Sequence, residues 1–67
     1  METISLTIDL VVHQTAKAAL INFGDDERWI PFSVIDPDSL ADLDNQPDEI
    51  MVATWFVKQE GLECYES

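Results

Sequence analysis

The stretch "KAALINFGDDERWIPFSVI", residues 17–35, sets the fold class of this chain. Its two ends are rich in β-branched and aromatic residues, which predicts one strand over 17–23 and another over 28–35. Between them, "GDDE" at 24–27 supplies Gly and Asp, which tolerate the positive φ angles of a tight hairpin turn. Because Pro31 cannot donate to a strand ladder, the second strand is expected at a sheet edge, or with Pro31 facing away from its neighbour.

The rest of the chain predicts more strands around this hairpin. In "TISLTIDLVV" at 3–12, apolar and polar residues alternate with the period of two that is typical of a half-buried strand. A polar turn is expected at 13–16, and "EIMVA" at 49–53 predicts a fourth strand. In the third strand, the same alternation places Ile30, Phe32 and Val34 on one face.

Two short helices are also expected. Asp36 followed by Pro37 is typical of an N-cap and a first helical residue, and the spacing of Leu40 and Leu43 predicts a helix over about 37–43. A second helix could start after Thr54 and end at Gly61, with Leu62 packing back on Val57. A continuous strand over 50–57 is the alternative for that region, and residues 63–67 are expected to fray.

These elements predict an α+β fold in a single domain of residues 1–67. An antiparallel meander of three to four strands would be covered on one face by one or two short helices. A chain of 67 residues buries a small core, and Cys64 alone cannot form an internal disulfide, so the domain must pack efficiently or oligomerise. The lone thiol and the lack of a signal peptide or an apolar span favour a cytoplasmic protein.

Charge is the outlying property of the composition. Fourteen acids face three bases, Lys17, Arg28 and Lys58, for a net charge of −11. Nucleic acid and anionic membranes are excluded as direct partners because like charges repel, and a basic protein surface is the natural complement. Six of the acids lie within the fourteen residues of "DPDSLADLDNQPDE" at 36–49: Asp36, Asp38, Asp42, Asp44, Asp48 and Glu49.

No pattern for catalysis, cofactor binding or metal binding is present. With only Gly24 and Gly61, the chain has no glycine-rich phosphate loop, and His13 has no identifiable catalytic partner. An EF-hand register starting at Asp36 fails, because Ala41 and Pro47 stand where that loop needs Gly and Glu. We therefore expect no enzyme activity, no cofactor and no metal.

Aromatic residues are expected mainly in the core. Strand and helix aromatics usually pack against a sheet, which favours burial of Trp29 and Phe56. Trp55 could instead be exposed and anchor an interface.

A resemblance to a group of known proteins rests on eight residues of the sequence. They are Trp29, Ile30, Pro31, Ser33 and Ile35, followed later by Trp55, Gly61 and Leu62. About half of the chain resembles small acidic phage and prophage proteins that have a Trp-Ile-Pro hairpin and a Trp-containing segment closing with Gly-Leu. Phe32 departs from that pattern, which often has Lys at this position. The resemblance implies a phage setting, in which strongly acidic small proteins include nucleic-acid mimics of the anti-CRISPR type.

Two functions follow as hypotheses. In the first, the chain is a phage-type inhibitor that binds the basic nucleic-acid-binding surface of a host protein, such as a CRISPR effector complex, by charge mimicry. The acids of 36–49 would carry the contact, with help from Asp25, Asp26, Glu27 and Trp55. In the second, the chain is a small structural or assembly protein that forms a homodimer or larger oligomer through an edge strand or Trp55.

Overall fold

The computed structural model describes residues 1–67 and contains five strands in two antiparallel sheets, with two α-helices. The strands are β1 (Thr3–Thr7), β2 (Leu10–Gln14), β3 (Ala18–Asn22), β4 (Glu27–Pro31) and β5 (Glu49–Ala53). The helices are α1 (Pro37–Ala41) and α2 (Thr54–Glu60), and 3₁₀ turns cover Phe32–Val34, Leu43–Asn45 and Glu63–Tyr65. The predicted α+β class is confirmed. Neither helix has the length and apolar character needed to span a bilayer.

Strands β2, β3 and β4 form the predicted meander, and its second hairpin lies where "GDDE" indicated. The Phe23 N–H donates to the Asp26 carbonyl over 2.8 Å and closes the turn. Gly24 adopts a φ of 109°, which a residue with a Cβ rarely reaches, and its N–H donates to Asn22 Oδ1 over 2.6 Å. The local turn chemistry therefore fixes this hairpin, as the sequence predicts.

The predicted single strand over 3–12 is wrong, because the chain passes there from one sheet to the other. β1 pairs with β5, whereas β2 pairs with β3. At the crossover, the Ile8 N–H donates to the Asp48 carbonyl (2.9 Å) and the Asp9 N–H donates to the Asn22 carbonyl (2.8 Å). The alternation also changes phase, so that Val11 is buried while its neighbours on both sides in the chain are exposed.

The other predicted boundaries shift less. β2 continues to Gln14, and the turn that follows it is closed by Thr15, whose Oγ1 accepts from the Ala18 N–H over 3.1 Å. β4 stops at Pro31, and the predicted end of that strand is a 3₁₀ turn over Phe32–Val34. β5 has the predicted bounds, and the region after it is the helix rather than the continued strand.

Sixteen buried residues form one core, and all of them are apolar. They come from both sheets, from α2 and from the connections, so the core joins the two sheets to α2: Leu6, Ile8, Val11, Ala19, Ile21, Phe23, Ile30, Val34, Ile35, Leu43, Ile50, Val52, Ala53, Phe56, Val57 and Leu62. Such a core is the main stabilising term of a small domain whose single Cys64 cannot form an internal disulfide.

The C-terminal residues 63–67 do not form the predicted frayed tail. The Ser67 N–H donates to the Ser5 carbonyl over 2.9 Å, and Glu66 makes a bridge with Leu6 of β1. The Tyr65 ring stacks on Phe23 with 4.4 Å between the ring centroids. The stacked ring and the backbone bonds hold a segment that its polar composition suggested would be loose.

Candidate partner-binding surface

The residues 36–49, called the acidic segment below, are ordered and begin along the outer edge of β5. The Asp36 N–H donates to the Met51 carbonyl, and the Met51 N–H donates to Ser39 Oγ, each over 2.9 Å. These bonds occupy backbone groups of β5 that β1 does not reach. The start of the acidic segment therefore covers one edge of the two-stranded sheet.

Local capping and one leucine shape the middle of the acidic segment. The Asp36 carboxylate accepts from the Asp38 N–H over 3.1 Å, and Pro37 is the first residue of α1, as predicted. Leu43 is only 1% exposed, and Leu40 packs partly buried against the core. These two side chains fix the acidic segment to the core while the polar side chains between them stay outside.

The second half of the acidic segment runs antiparallel to the outer edge of β2. Gln46 Oε1 accepts from the Val11 N–H (2.8 Å), and Gln46 Nε2 donates to the Val11 carbonyl (3.1 Å). One side-chain amide thus supplies the donor and the acceptor that a neighbouring strand would supply. The Gln14 side chain donates to Asp44 Oδ1 over 2.8 Å, which places Asp44 beside the other end of β2.

The carboxylates of the acidic segment have no cationic partner. The ion pairs of the protein are those of Arg28 with Asp26 (2.8 Å) and with Glu60 (3.9 Å), and neither carboxylate belongs to this segment. Five of its six acids are exposed, and Asp36 is half-buried. They do not gather into a group that could hold a metal ion. The acidic segment therefore presents uncompensated negative charge on a fixed backbone.

The hairpin tip, residues 24–28, uses its acids differently. The Arg28 side chain donates to Asp26 Oδ2 over 2.8 Å, and this bond holds the pKa of Asp26 below its ordinary value. The Tyr65 hydroxyl donates to Asp25 Oδ1 over 2.7 Å, and mainly this bond raises the pKa of Tyr65 to about 12. Glu27 accepts a longer bond from Asn22, at 3.4 Å. The acids of the hairpin tip therefore have partners within the tip, in β3 and in the C-terminal segment.

Trp55 is exposed, but it lies away from the acidic segment. Its side chain is 57% exposed on α2, beside an open cleft lined also by Met1, Glu2, Thr54 and Lys58. No residue of the acidic segment lines this cleft. The predicted site residues therefore fall into three places: the acidic segment, the hairpin tip and the Trp55 cleft.

One exposed apolar surface was not predicted. Trp29 is 50% exposed, so its predicted burial is wrong, whereas Phe56 is buried as predicted. Trp29 lies opposite Leu20, and Leu20 lies opposite His13, so the three form a row across β4, β3 and β2. The strand alternation indicates that Trp29 is exposed. Its neighbour Ile30 is buried, so the Trp29 side chain must lie on the opposite side of β4.

The chain matches no protein-family model, and comparisons with the curated proteins and with the solved structures give no significant match.

Proposed function

We propose that this protein binds a basic nucleic-acid-binding surface of another protein and competes there with nucleic acid. The observation that supports the proposal is the acidic segment, in which exposed carboxylates without cationic partners are held on a backbone that is bonded to both sheets. Duplex DNA presents one negative charge per about 1.7 Å of its axis, and a groove built to receive such a charge density attracts a fixed array of carboxylates.

Order in the acidic segment makes such binding more favourable. A flexible acidic tail would lose conformational entropy on binding, whereas a segment already fixed by Leu43 and Gln46 loses little. The net charge of −11 also produces long-range attraction toward a basic surface. We expect fast association that slows steeply as salt is added.

The test is competition measured with charge-matched variants. Purified DNA- or RNA-binding proteins with basic grooves are titrated with this protein while bound to labelled nucleic acid, and release of the label is followed. The segment variant replaces Asp42, Asp44 and Asp48 with Asn, which keeps side-chain shape while changing the net charge from −11 to −8. For a protein that releases its nucleic acid, the segment variant should associate more slowly and show a weaker salt dependence.

A second variant with the same net charge serves as the control. The remote variant replaces Glu2, Glu63 and Glu66 with Gln; these residues are exposed and lie outside the acidic segment. The proposal requires the segment variant to compete less well than the remote variant. Equal loss in both would mean that only the total charge matters, and no loss in either would show that the acidic segment is not the contact surface.

Self-association as a small assembly subunit is the second candidate, and the exposure of Trp55 is the observation that favours it. Association through edge strands has less support, because backbone groups at the strand edges are already hydrogen-bonded or have no N–H to donate. Val11 of β2 is bonded to Gln46, and Pro31 in β4 has no N–H. Sedimentation of the wild type and of Trp55→Ala over a range of concentrations tests this candidate.

The setting of the function stays a prediction that rests on the resemblance alone. A phage origin and a CRISPR effector complex as the target belong to it, whereas a cytoplasmic location is a separate prediction that rests on the lone thiol of Cys64. Screening the competition assay against CRISPR effector complexes alongside unrelated nucleic-acid-binding proteins would separate a specific inhibitor from a general one.

A further inference from the structure

The solvent-facing side of the three-stranded sheet carries a contiguous group of apolar side chains. We call it the outer sheet face; its residues are Leu10, Val12, His13, Leu20 and Trp29. Leu10, Val12 and Trp29 are 45%, 41% and 50% exposed, respectively. A β-bulge between Val11 and His13 adds Val12 to this side of the strand. Apolar side chains that lie together on a protein surface are candidates for an interaction site.

The Trp29 side chain lies within a fixed arrangement of neighbours. The rings of His13 and Trp29 meet edge to face, with 6.2 Å between their centroids. Both project from strands whose backbones are paired through β3. A large aromatic side chain that is half exposed and already positioned is typical of a residue that dominates the energy of a protein interface.

The size of the outer sheet face limits what can cover it. Three strands about 4.8 Å apart and five residues long, at about 3.4 Å per residue, give a flat area of roughly 14 Å by 17 Å, or about 240 Å². A stable protein interface takes about 800 Å² from each partner. Any stable partner must therefore extend past the outer sheet face onto its borders.

Two of those borders are acidic. Along the outer edge of β2 runs the acidic segment, with Gln46 bonded to Val11 and Asp44 bonded to Gln14. Gln14 lies opposite the buried Ala19, so Asp44 borders this edge from the core side. At the hairpin end, Glu27 lies opposite Asn22 on the same side of the sheet. Lys17 is the base at the end of the sheet opposite the hairpin tip. The Arg28 side chain already forms ion pairs with Asp26 and Glu60. A second copy of this chain would bring a further charge of −11 to the same borders, so it is a poor occupant.

We propose that the outer sheet face is the apolar anchor of the partner interface, and that its occupant is a protein surface with an apolar centre flanked by Lys and Arg. This inference rests on the proposed function and extends it, because it gives the interface two parts with different tasks. The acidic borders speed association, and Trp29 slows dissociation.

A defined peptide probe tests the inference without knowledge of the natural partner. The probe is a helical peptide of Leu and Lys with a leucine face bordered by lysines. A peptide of Lys alone with the same charge and a peptide of Leu and Gln without charge are its controls. Binding is measured with wild type, Trp29→Ala, Leu10→Gln and the segment variant. Trp55→Ala is the matched control because Trp55 has a similar exposure, 57% against 50%, and lies on α2.

We expect Trp29→Ala to weaken binding of the Leu/Lys peptide about tenfold or more, mainly through faster dissociation, and Leu10→Gln to weaken it less. Trp55→Ala should leave it unchanged, and the Lys-only peptide should bind wild type and Trp29→Ala alike. Thermal melts of each variant establish that the protein is folded at the temperature of the binding measurement. Because Leu10→Gln removes no aromatic ring, it keeps the test valid if Trp29→Ala does not fold.

Three outcomes would overturn the inference: equal losses with Trp29→Ala and Trp55→Ala, binding of the Leu/Gln peptide as tight as that of the Leu/Lys peptide, or a self-associated form in sedimentation that Trp29→Ala abolishes. The last would make a second copy the occupant. Failure of the proposed function has a different signature. In that case the segment variant would bind the Leu/Lys peptide as wild type does, while Trp29→Ala would still lose binding.

Discussion

The acidic segment and the hairpin tip are both rich in acids, but only the tip contains a base that pairs with them. At the tip, Asp25 and Asp26 are bonded to Tyr65 and Arg28, so their charge helps to hold local structure together. In the acidic segment, no carboxylate pairs with a base, and the hydrogen bonds that three of them accept come from neutral groups. Leu43 and Gln46 fix the backbone of the segment. A count of acids therefore does not identify a binding surface. The negative charges that remain available to a partner are those that no cation of the fold neutralises.

The largest expected effect comes from removing the anchor of the acidic segment. Leu43→Ala deletes a side chain that is 1% exposed, which should lower the free energy of unfolding by about 2–5 kcal/mol. The total free energy of unfolding of a domain of this size is about 3–10 kcal/mol, so the variant should be close to unfolding. Urea unfolding followed by tryptophan fluorescence measures the effect. Leu40→Ala, at a half-buried site of the same segment, should lose clearly less, and equal losses would mean that Leu43 is not the anchor.

Gln46 gives the next largest effect. Gln46→Gly removes the two bonds to Val11 and leaves Gly at a φ of 52°, which Gly adopts without strain. We expect a loss of about 1–3 kcal/mol from two bonds of about 0.5–1.5 kcal/mol each. Amide exchange of Val11 should become faster. Gln46→Ala should be less stable than Gln46→Gly, because Ala keeps the Cβ strain that wild type has at this φ while Gly relieves it. An unchanged Val11 exchange rate would contradict the strand-like role of this amide.

Neutralising the two acidic regions should shift stability in opposite directions. The segment variant, with Asn at Asp42, Asp44 and Asp48, should melt slightly higher than wild type at low salt because repulsion falls, with each site contributing less than about 0.5 kcal/mol. A tip variant with Asp25→Asn, Asp26→Asn and Glu27→Gln removes the same charge but should melt lower, because Arg28 loses its closest partner. Calorimetry at several salt concentrations measures both.

The salt dependence provides the control for this pair. At 0.1 M salt the Debye length is about 10 Å, so the gain of the segment variant should fade, and wild type itself should melt higher than at very low salt. The hydrogen bonds of the tip are short-range and should persist. If both triple variants gain stability at low salt, total charge outweighs local contacts, and the distinction between the two regions fails.

Much of the fold was predictable because its signals are local. Asp36 with Pro37 marks the start of α1, Gly61 adopts the expected positive φ of 69°, and the hairpin turn follows from "GDDE". The break of the first predicted strand was not predictable from alternation. A period of two describes which side chains are apolar, but not that Ile8 and Asp9 bond to different sheets.

The candidate site was predictable only in its charge. Composition located the acidic segment, but its order depends on the bond between Gln46 and Val11, which are 35 residues apart. No local pattern indicates that a glutamine amide will complete a strand edge. For Trp29, by contrast, a local pattern was sufficient. The strand alternation places its side chain on the exposed side of β4, although a tryptophan is more often expected in the core.

The smallest effect, and the most direct comparison of the two regions, is the titration of Tyr65, the single tyrosine of the chain. Its neutral hydroxyl donates to Asp25, and ionisation would place a phenolate against a carboxylate, so the pKa is raised to about 12 from an ordinary value near 10. Because the folded pKa is the higher one, the stabilisation is complete below about pH 10 and is lost as the pH rises toward about 12. The ultraviolet absorbance of the phenolate reports the midpoint. Asp25→Asn should lower that midpoint toward its ordinary value, whereas Asp44→Asn removes the same charge from the acidic segment and should leave it in place. Equal shifts in both variants would mean that Tyr65 senses the net charge of −11 rather than its bond to the hairpin tip, and the tip would then be no more self-contained than the acidic segment.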